Sequence, residues 1–196
     1  SFQTRILNVD TAEVININTS APFSPKSSNC SATNEVAILL HTSGTTSDPK
    51  RVMLTHDNLI SNVRSNIASL ELSYNDVSLI ALPMLFSYCN SAQFLTHMYM
   101  GATIVIMEGL FSATSFFNIV AQYKVTNFTA VPSILLTLLH YKNYDSEKIK
   151  SLRYICFGGG IMPPDILAKL IKQFPSIGFV HTYGQTEAGP RITALL

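Results

Sequence analysis

Short apolar runs alternate along the chain with stretches whose apolar residues return at helical spacing, and polar turns divide them. Val36 to Leu40 is the first run of the main body, and a polar loop from His41 to Lys50 follows it. Thr55 is placed to cap a helix with Asp57 in its first turn, and Leu59, Ile60, Val63, Ile67 and Leu70 then recur along one face. Asn75-Asp76 turns the chain into a strand over Val77 to Leu82, which Pro83 ends. Ser91 to Met100 predicts a helix closed by Gly101, and Thr103 to Met107 a second strand. Ser112 caps a helix ending near Lys124, Asn127 to Val131 predicts another strand, and Pro132 suits the first turn of a helix reaching His140. Arg153 to Phe157 leads into Gly158-Gly159-Gly160, Pro163 and Pro164 open the next helix, and Ile177 to His181 precedes a loop at Tyr183.

Strand-helix alternation with continuous apolar strands predicts an α/β fold, a mainly parallel sheet covered by helices. Ligands in such sheets bind at loops leaving the carboxyl ends of strands, and the three glycine-bearing loops are expected to leave strands in that sense. Residues 1–34 differ: two apolar runs, Ile6 to Val9 and Val14 to Ile17, precede a Ser/Pro/Asn-rich connector. The expected division is therefore an N-terminal segment and connector at 1–34 and a nucleotide-binding α/β subdomain at 35–196. From Val77 to Met107 the chain carries no Asp, Glu, Lys or Arg, but Pro83, Asn90, Gln93, His97 and Gly101 interrupt it. A spanning helix needs about 20 uninterrupted apolar residues, so this stretch reads as strand, helix and strand in a core, with no membrane span.

Composition sharpens the picture. Of 196 residues, 47% are hydrophobic and only 13% charged, against roughly a quarter charged in an average soluble domain. Disorder is excluded, and a net charge of +1 gives no electrostatic grip on nucleic acid. A surface so poor in charge is expected where a larger body covers part of it. Cys30, Cys89 and Cys156 are scattered, with no disulfide framework or zinc spacing, which points to a reducing, cytoplasmic setting. No signal peptide is evident, and both ends read as fragment ends.

The strongest chemical signal is Thr42-Ser43-Gly44-Thr45-Thr46-Ser47-Asp48-Pro49-Lys50. Hydroxyls and backbone N–H groups donate to phosphate oxygens, glycine permits close approach, and lysine neutralises charge. A Ser/Thr-rich surface turn is the plainer alternative from composition. The ordinary P-loop is excluded, because Pro49 stands at its second glycine position and Arg51 follows the lysine. The five histidines show no metal spacing, and His97 reads as a core histidine.

This segment resembles the phosphate-binding loop of the adenylate-forming, AMP-binding superfamily: acyl- and aryl-CoA synthetases, peptide-synthetase adenylation domains and luciferases. That pattern, roughly [ST]-S-G-T-T-G-x-P-K-G-V, is kept except for two glycines, replaced by Ser47 and Arg51. Downstream and in order, Gly158-Gly159-Gly160 resembles the superfamily's glycine turn, and Tyr183-Gly184-Gln185-Thr186-Glu187 fits Y-G-x-T-E. Ala81-Leu82-Pro83 resembles the start of its acyl-site segment.

The resemblance implies a two-step ligase. A carboxylate attacks the α-phosphate of Mg-ATP to give an acyl-adenylate and pyrophosphate, and the thiol of CoA or of an acyl-carrier protein's phosphopantetheine then takes the acyl group. It implies that Thr42, Ser43, Gly44, Thr45 and Thr46 with Lys50 hold the β- and γ-phosphates. Thr186 bonds the α-phosphate and Glu187 binds magnesium. Tyr183, Gly184 and the Gly158–Gly160 turn flank the adenine. Lys50, Thr186 and Glu187 are the candidate catalytic residues. Phe86 stands where the superfamily often has histidine, and peptide synthetases that activate α-amino acids usually have an aspartate there. A fatty, aryl or related simple acid is therefore the expected substrate, with Phe86, Ser87, Asn90 and Val131 as candidate pocket residues. Ser47 is expected to reduce loop mobility if that position needs positive φ.

Nothing after Glu187 corresponds to the superfamily's T-G-D motif or its C-terminal lid domain with its lysine. The expectation is a fragment of an enzyme, not competent alone. A non-catalytic nucleotide- or acyl-binding module and a truncated remnant are the alternatives.

Overall fold

The computed structural model describes residues 3–8, 14–18, 35–41 and 51–195. The candidate phosphate-loop residues Thr42 to Lys50 lie outside the described residues, as does Cys30. The chain opens with strands β1 (Gln3–Asn8), β2 (Val14–Asn18), β3 (Val36–His41) and β4 (Arg51–Thr55), then helix α1 (His56–Ser69) and β5 (Val77–Ile80). A helical run follows, made of α2 (Ser87–Cys89), a π-helical segment (Asn90–Leu95) and α3 (Thr96–Met100). Next come β6 (Thr103–Ile106), α4 (Ala113–Tyr123), β7 (Asn127–Ala130), α5 (Pro132–His140) and β8 (Tyr154–Phe157). Helix α6 (Pro164–Gln173), β9 (Gly178–Gln185), a 3₁₀ turn (Thr186–Ala188) and β10 (Gly189–Leu195) complete the order.

The eight-stranded sheet runs β10-β9-β8-β7-β5-β6-β1-β2. All neighbours from β9 to β1 are parallel, while β10 and β2 close the edges antiparallel. After β5 the chain places β6 on one side and then returns to place β7 on the other. This is the switch in strand order beside which open α/β sheets form a crevice.

Alternation along the strands divides the core between the two faces. Leu79, Val105, Phe128, Ile155 and Phe157 pack in the larger cluster with residues of α4, α5 and α6. Their neighbours Ile80, Ile104, Cys156 and Val180 belong to the smaller clusters on the other face, which include Cys89 and Met100 of the helical run. Full burial of such side chains contributes roughly 1.5–3 kcal/mol each.

Several local signals act as expected. Thr55 accepts from the Asn58 backbone N–H at 3.2 Å while the Asn58 side chain accepts from Thr55 N–H at 3.0 Å, a reciprocal cap on α1. Ser112 caps α4, and Pro132 opens α5. At the amino ends of the strands, the buried Asp76 accepts from Thr126 at 2.6 Å, Arg153 at 2.5 Å and the Ser73 backbone at 2.8 Å. One carboxylate therefore pins the entries to β5, β7 and β8.

Three features depart from expectation. The strand at Val36–His41 does not join the parallel sheet. It pairs antiparallel with β4, His41 opposite Arg51, as a separate two-stranded sheet. Arg51–Thr55 is too short to show a period of its own and buries only Leu54, so it reads as a lead-in to α1. The helix expected from Ser91 begins at Ser87 and widens to a π-helix in its middle. Strand β9 runs through Tyr183, Gly184 and Gln185 instead of ending at His181, because β10 pairs along it from Gln185 to His181. The apolar stretch 77–107 is strand, helix and strand as expected, and among the described residues no helix is long and apolar enough to cross a membrane.

Candidate active site

Glycines open the crevice at the carboxyl ends of β7, β8 and β9. Gly158 follows β8 directly, and a Cβ there would meet the Thr182 carbonyl oxygen at 2.4 Å and its hydroxyl at 2.9 Å. Gly184 faces the start of β10, where a Cβ would sit 2.6 Å from the Arg191 backbone nitrogen. Neither position accepts a side chain without moving backbone. Beyond Gly158, the turn runs against Val131 and Pro132 at the end of β7.

Between this turn and the start of α2 lies a cleft of about 120 Å³. Ser87, Gly159, Gly184 and Thr186 line it, all of them candidate residues, and so do Tyr88, Thr182, Gln185 and Pro190. Thr182 donates to the Phe157 carbonyl at 3.0 Å. Its one proton is thereby committed, so at 2.6 Å it is Tyr88 that donates its phenolic proton to the Thr182 hydroxyl. Burial pushes the Tyr88 phenol up to about 12, against the opposing pull of Arg191, so it stays neutral at physiological pH.

Beneath the Tyr88 ring lies Arg191, its guanidinium carbon 5.9 Å from the ring centre. Arg191 donates to the Ala92 carbonyl at 3.1 Å and to Thr129 at 2.8 Å. It ties β10 to the π-helical segment and to β7.

Other candidate residues are less closely gathered. Glu187 is exposed and lines a neighbouring groove of about 390 Å³ between α1 and β10, which also contains Asn58, Asn62 and Pro190. Asn62 donates to the Pro190 carbonyl at 2.8 Å and so steadies this corner. Tyr183 stands 59% exposed outside the cleft, its ring free to stack on a flat partner. Phe86 is 54% exposed just before α2. Asn90 is half-buried with its Oδ1 unpartnered, and Val131 packs partly into the main core.

Sequence reasoning missed Tyr88, Thr182, Gln185, Pro190 and Arg191. Arg191 alone carried a signal: a single charge between Pro190 and Ile192 at the start of an apolar stretch.

Glu187, exposed beside Thr186 in the turn after β9, is a carboxylate of the kind magnesium takes next to a nucleotide. Among the described residues no group of three or more His, Cys, Asp or Glu forms a metal cage. Magnesium beside a nucleotide needs none, since one or two carboxylates with substrate phosphates suffice.

The sequence matches the family described as AMP-binding enzyme over residues 3–195. The chain belongs to the AMP-binding enzyme family. Within that family it is 32% identical over 167 residues to 4-coumarate-CoA ligase 1 of Narcissus pseudonarcissus, covering 83% of this chain and 30% of that protein. It is 30% identical to feruloyl-CoA synthase of an Amycolatopsis species over 83% of this chain and 32% of that one. O-succinylbenzoate coenzyme A synthetase from Bacillus subtilis, in complex with AMP, superposes with a TM-score of 0.72 at 31% identity, over 83% of this chain and 40% of that one. The same Bacillus enzyme has been solved with ATP and magnesium ion, at a TM-score of 0.73 and 30% identity over 83% of this chain and 33% of that one. The chain thus spans about 30% of the length of the curated AMP-binding relatives it matches.

Proposed function

We propose that this chain supplies the nucleotide- and acid-binding core of an ATP-dependent ligase. The ligase forms an acyl-adenylate from a carboxylic acid and passes the acyl group to the thiol of CoA or of a carrier protein. The observation that carries the reading is the meeting of Gly159, Gly184 and Thr186 with Ser87 in one cleft at the carboxyl ends of the parallel strands. Membership of the AMP-binding family supports assigning a nucleotide to that cleft. Residues 35–196 carry the nucleotide-binding part in this reading, and 1–34 the segment that adds two strands to the sheet edge.

The division of labour follows from chemistry and position. Thr186, at the turn after β9, offers its hydroxyl to the α-phosphate. Glu187 next to it would hold magnesium, which when bound would supply charge neutralisation for the transfer. Thr42 to Thr46 and Lys50 grip the β- and γ-phosphates. Tyr183, Gly184 and the Gly158–Gly160 turn flank the adenine. Ser87, Phe86, Asn90 and Val131 border the acid, whose carboxylate oxygen attacks the α-phosphorus as pyrophosphate leaves. Positioning and charge stabilisation are what such a transfer requires of a protein. A cytoplasmic setting suits this chemistry, because ATP and CoA are its co-substrates and Cys89 and Cys156 are free thiols.

Calorimetric titration with Mg-ATP tests the reading, with Lys50→Ala and Thr186→Ala beside the unaltered chain. Saturable binding weakened by each substitution is expected. Equal heats from all three would overturn the assignment of both residues. Binding without acid-dependent pyrophosphate release in the longer protein would favour a nucleotide-binding module over a ligase.

A further inference from the structure

Arg191 carries two costs at one position. Its backbone is in the left-handed region, φ 61°, where a bulky residue is uncommon. Its guanidinium is buried at 8% exposure, yet Arg191 takes part in none of the ion pairs among the described residues. Two neutral acceptors, the Ala92 carbonyl and Thr129, take its terminal nitrogens. Its Nε has no partner. A buried charge without a counter-ion is among the most expensive features a fold can hold. Backbone strain of this kind persists where surrounding structure imposes it, and it clusters at ligand sites.

The surroundings point the same way. The helical wall that meets Arg191 is the π-helical segment Asn90–Leu95, a rare geometry found mostly at functional sites. That segment also holds Asn90 Oδ1 and Gln93 Oε1, both buried without hydrogen-bond partners. On the cleft side the Tyr88 ring stands over the guanidinium, held by its hydrogen bond to Thr182 and by the pull of Arg191 on its phenol. Tyr88 lines the cleft, and Arg191 lies on the other side of its ring.

We infer that Arg191 is the specificity-determining residue of the acid site and selects a substrate with a second carboxylate at the far end of its acyl chain. The inference rests on the ligase reading above and names its substrate class. The reacting carboxylate faces Thr186. The distal carboxylate displaces the Tyr88 ring, accepts from Arg191 Nε–H and supplies the missing counter-charge. A charge-assisted bond in a site closed to water is strong enough to discriminate against a methyl-terminated chain, which would leave the guanidinium unpaired.

The test uses 5′-O-(N-acylsulfamoyl)adenosines, stable mimics of acyl-adenylates, titrated by calorimetry into the chain. Succinyl, glutaryl and adipoyl derivatives are compared with butanoyl, pentanoyl and hexanoyl derivatives of equal carbon count, and adenosine sulfamate without an acyl group is the reference. Tighter binding of at least one carboxylated derivative than of its methyl-terminated partner, by about tenfold or more, is expected. Arg191→Met should abolish that preference while the variant still binds adenosine sulfamate, which also reports that it is folded. Arg191→Lys keeps the charge and should retain part of the preference, and it serves if the methionine variant does not fold. Equal or tighter binding of the methyl-terminated series would overturn this inference alone. Failure of the unaltered chain to bind even adenosine sulfamate would overturn the ligase reading and this inference with it.

Discussion

Asp76 and His97 are buried ionisable residues with opposite degrees of support. Burial raises the carboxyl pKa of Asp76, but bonds from Thr126, the Ser73 backbone and Arg153 outweigh it and hold the group below its usual 3.8. The ionised form is favoured by folding, so its stabilisation is complete above the unfolded value and is lost as pH falls below about 3.8. Asp76→Ala should cost about 2–4 kcal/mol, read from urea unfolding at neutral pH, because three donors lose their acceptor. In His97, Nδ1–H donates to the Gln93 carbonyl at 2.7 Å, while Nε2 is buried without a partner. Burial pushes its pKa down from 6.5 to about 4. The fold holds the neutral ring, so stability is present above 6.5 and declines as pH falls towards 4. Across that interval the decline attributable to His97 is about 3 kcal/mol, and His97→Gln should remove it in unfolding curves taken at successive pH values. The sequence marked His97 as a core histidine, and burial agrees. Its half-satisfied state was not legible, because tertiary packing, not residue spacing, decides which groups surround Nε2.

Among the elements, those ruled by local chemistry were the readable ones. Thr55 and Ser112 at helix starts, Pro132 at the head of α5 and the glycine after α3 each occupy the role their side chain or backbone dictates. Thr55→Ala should lower stability by about 1 kcal/mol, measured by chemical denaturation, since the Asn58 backbone N–H loses its hydroxyl acceptor while the residue-55 backbone N–H still donates to the Asn58 side chain. Strands β4 and β10 were not readable, because each exists through pairing with the strand before it and not through its own pattern. The site shows the same division. Glycines and the Thr186 turn announce themselves, whereas Thr182 and Tyr88 become partners only when β9 and α2 meet across 94 residues. Gly158→Ala tests that junction. Its Cβ would strike the Thr182 backbone, so the variant should lose about 1–3 kcal/mol of stability. Its affinity for any cleft ligand should fall too, as seen in parallel thermal unfolding and calorimetry.

At the scale of the whole molecule, a mainly parallel sheet with helices on both faces delivers its loops to one edge, and a change of strand order beside β5 and β7 opens the crevice there. Asp76 secures the opposite edge, so the strands that present the cleft are fixed at their far ends. The alternation of apolar runs was enough to foresee this architecture, and the family match over residues 3–195 agrees with it. The mixed sheet edges and the separate β3–β4 pair were not foreseeable, since nothing in a short apolar strand states which neighbour it will take. On this reading the cleft between Ser87, Gly159 and Thr186 binds an acyl-adenylate. The measurement that tests it most directly is calorimetric titration of the chain with a non-hydrolysable acyl-adenylate analogue, beside Thr186→Ala. Saturable one-to-one binding is expected, weakened by the substitution about tenfold or more, the worth of a hydrogen bond to a charged group. Absence of binding by a chain that still unfolds cooperatively would contradict it.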